Sequence, residues 1–196
     1  MASLNLVRWG ALGALLAGVA WIASFIVDLT IAGQSPETSG LPSFYLIQGI
    51  LTVALAGTLV GLLGLHAQQA TSYGVLGTVG LLAALIGTAL VLANVAFIHV
   101  AGRDVLDLLL GVGLVGMFFG FVLLGVATLR ARVLPQWCGA ALIVVLPIAA
   151  ILGDYGGGLV FGLVWLALGY VLLSERPVDS RSLRGSSRRS TGPRDR

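Results

Sequence analysis

The chain has 196 residues, of which 58% are hydrophobic and only 10% are charged, and its mean hydropathy is +1.02. A water-soluble domain of this size carries about 25% charged residues, so the composition excludes a soluble globule and indicates a protein that has lipid as its solvent. All 11 basic residues are arginine. Without lysine the chain cannot form a retinal Schiff base, and with Cys138 as its only cysteine it has no internal disulfide.

Six apolar segments alternate with short polar breaks. A helix that crosses the hydrocarbon core needs about 20 apolar residues at a rise of 1.5 Å each. The first four segments meet this length, whereas the last two are only about 24–26 Å long, which fits either thin spans or a shorter re-entrant pair. We expect all six to span. The predicted spans are 9–32, 45–65, 73–100, 105–129, 137–152 and 157–173.

The arginines predict the orientation of these spans. With six spans, both chain ends and the breaks at 66–72 and 130–136 share one side of the membrane. That side holds ten of the eleven arginines, and the other side keeps only Arg103. Arginines near helix ends stay in the cytoplasm. We therefore expect both termini to be cytoplasmic.

A motif recurs with a fixed period. RWGALG begins at Arg8, SYGVLG at Ser72 and QWCGAA at Gln136, so that Trp9, Tyr73 and Trp137 follow one another at intervals of 64 residues. Such a period predicts an internal repeat. The predicted fold is an all-α integral membrane protein in which six transmembrane helices form three helical hairpins. The aromatic rings are expected to anchor each odd-numbered helix at the cytoplasmic interface.

Glycine spacing predicts how the helices associate. Lipid tails are as apolar as leucine, so helices in a membrane are held together by close backbone approach, and small residues at positions i and i+4 permit that approach. Within the predicted spans three glycine pairs have this spacing, and we expect them to pack within the one chain rather than to form a dimer interface. The pairs are Gly57 with Gly61, Gly116 with Gly120, and Gly158 with Gly162.

Two regions and their partners follow from the distribution of charge. Residues 1–174 form the predicted transmembrane domain, and residues 175–196 form an arginine-rich cytoplasmic tail that is too polar to fold. The bilayer is the expected partner of the first region, and anionic lipid headgroups are the expected partner of the tail. The tail has no interleaved aromatic residues for stacking on bases, so no specific nucleic acid is expected. A second membrane protein or another copy of the chain is a further expected partner.

The middle of every predicted span lacks ionisable side chains. An ion pump needs acidic or histidine groups at mid-depth, and an intramembrane protease needs paired aspartates or HExxH. Neither pattern is present, nor is a Walker or GxSxG motif. We predict no catalytic residue and no cofactor.

Polar residues instead gather at the predicted outer face. The candidate outer-face polar cluster consists of Asp28, Asn94, His99 and Asp107. The third span is the longest predicted, so we expect it to carry His99 to the water boundary, where the imidazole could change charge with pH or bind a metal beside carboxylates. The sequence favours a solvated rim of helix ends over such a site, with Asp107 stabilised by the dipole of the fourth helix.

The run LLGLHAQQATSYGVLGTVGLLAALIGTALVLA at 62–93 resembles uncharacterised multi-pass membrane proteins of GC-rich bacteria. The resemblance covers about one helix and a loop, contains no catalytic motif, and implies location in a bacterial inner membrane. Three functions therefore stay open. The first is a structural or accessory membrane component, which the sequence favours. The others are a small-molecule or lipid transporter with an apolar, glycine-lined path, and a membrane enzyme with an outer-face site.

Overall fold

The computed structural model describes residues 2–31, 42–70, 72, 74–101 and 107–174. Within these ranges every regular element is a helix, as the prediction of an all-α protein requires. A short 3₁₀ turn at Gly153–Tyr155 joins the last two α-helices. The α-helices are α1 (Ala2–Ile31), α2 (Pro42–Gln69), α3 (Gly74–Ala101), α4 (Asp107–Ala131), α5 (Gln136–Leu152) and α6 (Gly157–Ser174).

Several helices extend beyond the apolar segments. The first begins at Ala2, and the second runs on through His66 to Gln69, which leaves little of the predicted 66–72 loop. A helix satisfies its own backbone hydrogen bonds, so it can continue beyond the apolar segment. The helix α4 ends at Ala131, just before Arg132, whose φ of 52° is not helical. The expectation that the third helix is the longest was wrong, because α1 has 30 residues and α3 has 28.

Each helix packs against the next one along the chain, and α6 returns to pack against α1, so the six helices form a closed ring. Neighbours run in opposite directions: Gly10 of α1 meets Gly64 of α2, and Gly57 of α2 meets Ala17 further along α1. The odd helices therefore start, and the even helices end, at the same end of the bundle. We call it the arginine end after Arg8, Arg130 and Arg132, and the other end the Asp28 end.

Small residues line the helix contacts, whereas large apolar residues face outward. All three predicted glycine pairs face another helix of the same chain, as expected. Gly120, for example, would drive an added Cβ into the backbone of Ala84, and Gly162 would drive one against Gly18. Every helix also exposes large apolar side chains, such as Leu16 and Val75. Small residues inside and large apolar ones outside are typical of helices packed in lipid.

Five of the described helices, α1 to α4 and α6, are long and apolar enough to cross a membrane, whereas α5 has 17 residues and falls just short of that length. The chain is therefore a multi-pass, membrane-embedded helical protein. The helix α5 continues without interruption through Pro147.

The turn between α5 and α6 is recessed at the Asp28 end. Because Gly125 of α4 lies against Gly139 and Ile143 of α5, the end of α5 is level with Leu114, about 10 Å short of the start of α4 at 1.5 Å per residue. The start of α6 is level with Phe25, which contacts Gly158 before α1 ends. The turn thus lies about one to two helical turns below its neighbours.

Candidate functional site

The structure describes the side chains of two of the four residues in the predicted outer-face cluster. Asp28 is exposed near the end of α1, whereas Asn94 on α3 is 1% exposed. The helices that carry them each pack against α2. The side chains of His99 and Asp107 lie outside the described residues. Among the side chains that are described, no three His, Cys, Asp or Glu residues lie close enough to hold a metal ion together. The outer-face cluster stays a prediction.

The buried polar side chains in the described ranges are all neutral. Three of the hydroxyls bond within their own helix: Ser24 to the Trp21 carbonyl at 2.8 Å, Thr58 to the Ala54 carbonyl at 2.9 Å, and Thr128 to the Leu124 carbonyl at 2.8 Å. Such local bonding removes the cost of a hydroxyl in an apolar interior. Asn94 Oδ1 and Trp165 Nε1 have no hydrogen-bond partner among the described residues. No charged side chain is buried in this part of the chain.

Aromatic rings from three helices meet at the centre of the bundle. Trp21 of α1 packs edge-on against Phe161 of α6, with ring centroids 5.0 Å apart. Phe121 of α4 lies 6.0 Å from Phe161 and 6.0 Å from Trp165. These separations are those that aromatic pairs prefer. Gly61 of α2 makes room for Trp165, since an added Cβ there would lie 2.6 Å from the indole ring. Phe121, Phe161 and Trp165 are all buried at this level.

A cavity of about 200 Å³ lies beside these rings, towards the Asp28 end. All six helices contribute to its wall, and every contributing side chain is apolar or is an indole ring. One turn further towards the arginine end, Phe121 and Trp165 are fully buried. The lining residues are Trp21, Leu55, Val91, Leu114, Met117, Leu146, Ala149, Gly153, Gly157, Gly158 and Phe161.

The cavity opens between α4 and the end of α5. Two of its lining residues, Leu114 and Gly153, are exposed at the surface of the bundle. The recessed turn causes this opening. Because α5 ends level with Leu114, it does not cover the first two turns of α4. Beside the opening, Ile151 is 85% exposed and Tyr155 is 93% exposed. A large apolar and an amphipathic side chain at this depth are suited to contact with lipid.

Sequence reasoning missed this cavity. Only one of its causes has a signal in the sequence: the last two apolar segments are shorter than the first four, a difference that we interpreted as thin spans or a re-entrant pair and not as a recessed turn. The other cause is the meeting of Trp21, Phe121 and Phe161 from distant parts of the chain. Their spacing along the chain carries no sign of that meeting, because on helices that are apolar on all faces an inward aromatic residue looks like an outward one.

Comparison with known proteins adds no family to this description. No family model, curated protein or solved structure matches the chain.

Proposed function

We propose that the protein is a non-enzymatic integral membrane component with a structural or accessory role. The observation that carries this proposal is the neutral interior: in the described ranges, the buried polar residues include no ionisable group. A membrane transporter of protons or ions relies on acidic, basic or histidine side chains inside the bilayer. A hydrolytic enzyme of the membrane likewise needs acids, bases or metal ligands at its reacting centre.

We further propose that all six helices span, as three hairpins in parallel repeat, with both termini in the cytoplasm of a bacterium. The distribution of charge at the two ends of the bundle supports this orientation, since Arg8, Arg130 and Arg132 lie together at one end. Trp9 and Trp137 are exposed at the same end, at 66% and 45%. Indole rings are enriched at the membrane interface. The arginine-rich tail then follows α6 on the cytoplasmic side, next to anionic headgroups.

Cysteine labelling tests the six-span topology. In a Cys138→Ala background, Leu108→Cys, at an exposed position in the first turn of α4, should react with a membrane-impermeant maleimide added outside the cell, because the Asp28 end then lies on the outer side. The control is Val133→Cys at the opposite end. Val133 is exposed in the α4–α5 loop, whereas the neighbouring Leu134 is buried. Val133→Cys should react only after the membrane is permeabilised. Labelling of Val133→Cys in intact cells would overturn the orientation.

Transport assays test the functional class. Purified protein in liposomes should release neither protons nor hydrophobic cations faster than empty liposomes, with an added ionophore as the positive control. The second candidate function, a carrier of small apolar molecules, is favoured by the cavity but requires Phe121 and Trp165 to move apart. Efflux of a hydrophobic cation or a lipid analogue from protein-containing liposomes alone would support the carrier and contradict the accessory role.

A further inference from the structure

The central cavity has the size of a small ligand site. Its volume is about 200 Å³, and an apolar protein cavity of about 150 Å³ is already large enough to bind benzene while excluding water. Cavities of this size are costly to leave empty, since the groups that line them lack packing partners on one side. A ligand that fills the cavity restores these contacts. We therefore expect its free energy to be lower in the cavity than in the open bilayer, where no complementary surface surrounds it.

The chemistry of the wall restricts the occupant to hydrocarbon. The one polar side-chain atom on the lining residues is Trp21 Nε1, and it points to Thr58 Oγ1 at 3.5 Å. The Thr58 hydroxyl in turn donates to the Ala54 carbonyl. A ligand with a hydroxyl, amide or charge would have no side-chain partner inside and would lose its own solvation. Met117 and the rings of Trp21 and Phe161 offer polarisable surfaces that suit methylene groups or an aromatic ring.

The opening is placed for entry from the bilayer rather than from water. Leu114, at the opening, is about 10 Å below the start of α4 at 1.5 Å per residue, and it is 49% exposed. The hydrocarbon core is about 30 Å thick, so a spanning α4 of 25 residues puts this opening inside the outer leaflet. Gly153 leaves the opening free of a side chain on the α5 side.

We propose that the cavity is a binding site for a hydrocarbon segment that enters sideways from the outer leaflet, between α4 and the end of α5. The same chemistry belongs to two sources: the end of a phospholipid acyl chain, and a small apolar solute dissolved in the bilayer. Binding occupies the space below the recessed turn and fastens α5 and α6 to α4. The site does not depend on the accessory role proposed above, but its place in the outer leaflet rests on the orientation proposed there.

Quenching of Trp21 fluorescence tests the site, because this indole borders the cavity. The protein carries Trp9→Phe, Trp137→Phe and Trp165→Phe, so that Trp21 is the only fluorophore of its kind. One arm titrates the protein in detergent micelles with bromobenzene. The other places it in nanodiscs of phosphatidylcholine with brominated acyl chains, against nanodiscs of the unbrominated lipid. Bromine quenches indole only at close range.

Filling the cavity provides the matched comparison. Ala149→Leu adds a branched side chain on the cavity wall, and Ala150→Leu adds the same side chain at the neighbouring exposed position of α5. Saturable quenching should fall by about threefold or more in Ala149→Leu, since little free volume remains, and should persist in Ala150→Leu. If Ala149→Leu fails to fold, Val91→Leu fills the cavity from α3 and replaces it.

The outcomes decide both the site and its source. If brominated lipid in nanodiscs quenches Trp21 less in Ala149→Leu than in Ala150→Leu, the occupant is an acyl chain. Cavity-dependent quenching by bromobenzene alone identifies a dissolved apolar solute, and it supports the site equally. Equal quenching of wild type, Ala149→Leu and Ala150→Leu in both arms overturns the proposal.

Discussion

Thr128 Oγ1 on α4 lies 3.1 Å from Gln69 Oε1 at the end of α2, and both side chains are buried. The Thr128 hydroxyl also lies 2.8 Å from the Leu124 carbonyl. A hydroxyl has one proton to donate, so it cannot serve both acceptors. Gln69 Nε2 has no other partner among the described residues. Turning the amide by half a rotation lets Nε2 donate to Thr128 Oγ1 while that hydroxyl donates to Leu124. This hydrogen bond links α2 to α4 across the bundle.

Thr128→Val should destabilise the protein through this link. Valine keeps the shape of threonine but leaves the buried amide of Gln69 without its partner. Interhelical hydrogen bonds in membrane proteins contribute about 0.6 to 2 kcal/mol, and we expect the free energy of unfolding to fall by that amount. Unfolding in mixed micelles with rising dodecyl sulfate measures it.

Thr78→Val is the control for the loss of a hydroxyl. Thr78 is exposed and bonds only to the Gly74 carbonyl of its own helix, at 3.2 Å, so its replacement should change the free energy of unfolding by less than about 0.5 kcal/mol. The double variant Gln69→Leu with Thr128→Val should recover part of the loss, because both partners are then apolar. Equal effects of Thr128→Val and Thr78→Val would contradict the link.

Gly120→Ala should weaken the contact of α4 with α3. An added Cβ would overlap the backbone of Ala84, and backbone atoms cannot move aside without separating the helices. Overpacking of this kind costs about 1–3 kcal/mol. Gly111→Ala is the matched control on the same helix, since nothing lies within 4 Å of its added Cβ. It should stabilise by up to about 1 kcal/mol, because alanine is the better helix former. Thermal unfolding of both variants in detergent checks the opposite signs.

The glycine contacts could be predicted from the sequence because they depend on local periodicity. Gly116 and Gly120 lie on the same helix face because they are four residues apart. A face without side chains allows the backbone of a neighbouring helix to approach closely. The sequence did not predict that α6 closes the ring, through Gly162 against Gly18 and Gly169 against Leu15. In a soluble bundle a polar face points outward and fixes the rotation of each helix. In this protein all helix faces are apolar, so the sequence offers no contrast between polar and apolar faces from which the rotation of each helix could be predicted.

Depth could likewise be predicted better than burial. Counting residues from Tyr73 places Asn94 in the last third of α3, towards the Asp28 end, but the count does not indicate which way the side chain points. In the structure it is buried. The burial of Phe121 and Trp165 could not be predicted for the same reason, because their contact with Phe161 depends on the rotation of each helix about its axis. Sequence reasoning therefore gave the position of polar groups along each helix and missed the aromatic centre.

An outer-face metal site makes a separate prediction about His99. A neutral imidazole beside Asp28 or Asp107 supplies the nitrogen and oxygen ligands that Zn²⁺ accepts. His99→Ala should weaken Zn²⁺ binding by about tenfold or more, and lowering the pH to about 5.5 should do the same to the wild type, since a protonated imidazole cannot bind metal. Isothermal titration in detergent measures both effects. His66→Ala is the matched control, because it removes the only other histidine. Equal Zn²⁺ binding by the two variants would favour a solvated rim.

Phe121→Ala should be the most destabilising of the substitutions considered, because Phe121 is fully buried and packs on both Phe161 and Trp165. Removing its ring leaves a void next to the existing cavity, and truncation of a buried phenylalanine costs about 3–5 kcal/mol. Phe119→Ala removes the same ring two residues away, where it is 58% exposed and faces the lipid side. Since lipid tails replace the lost contacts, its cost should stay below about 1 kcal/mol.

The two phenylalanine variants also test whether the aromatic centre closes the bundle. If it does, Phe121→Ala joins the cavity to the space beneath it, and liposomes that contain this variant should release a hydrophobic cation faster than those with wild type or Phe119→Ala. Circular dichroism before each assay shows whether the helices are retained. Equal unfolding free energies for Phe121→Ala and Phe119→Ala would mean that residue 121 also faces lipid, which is incompatible with a central ring cluster built from α1, α4 and α6.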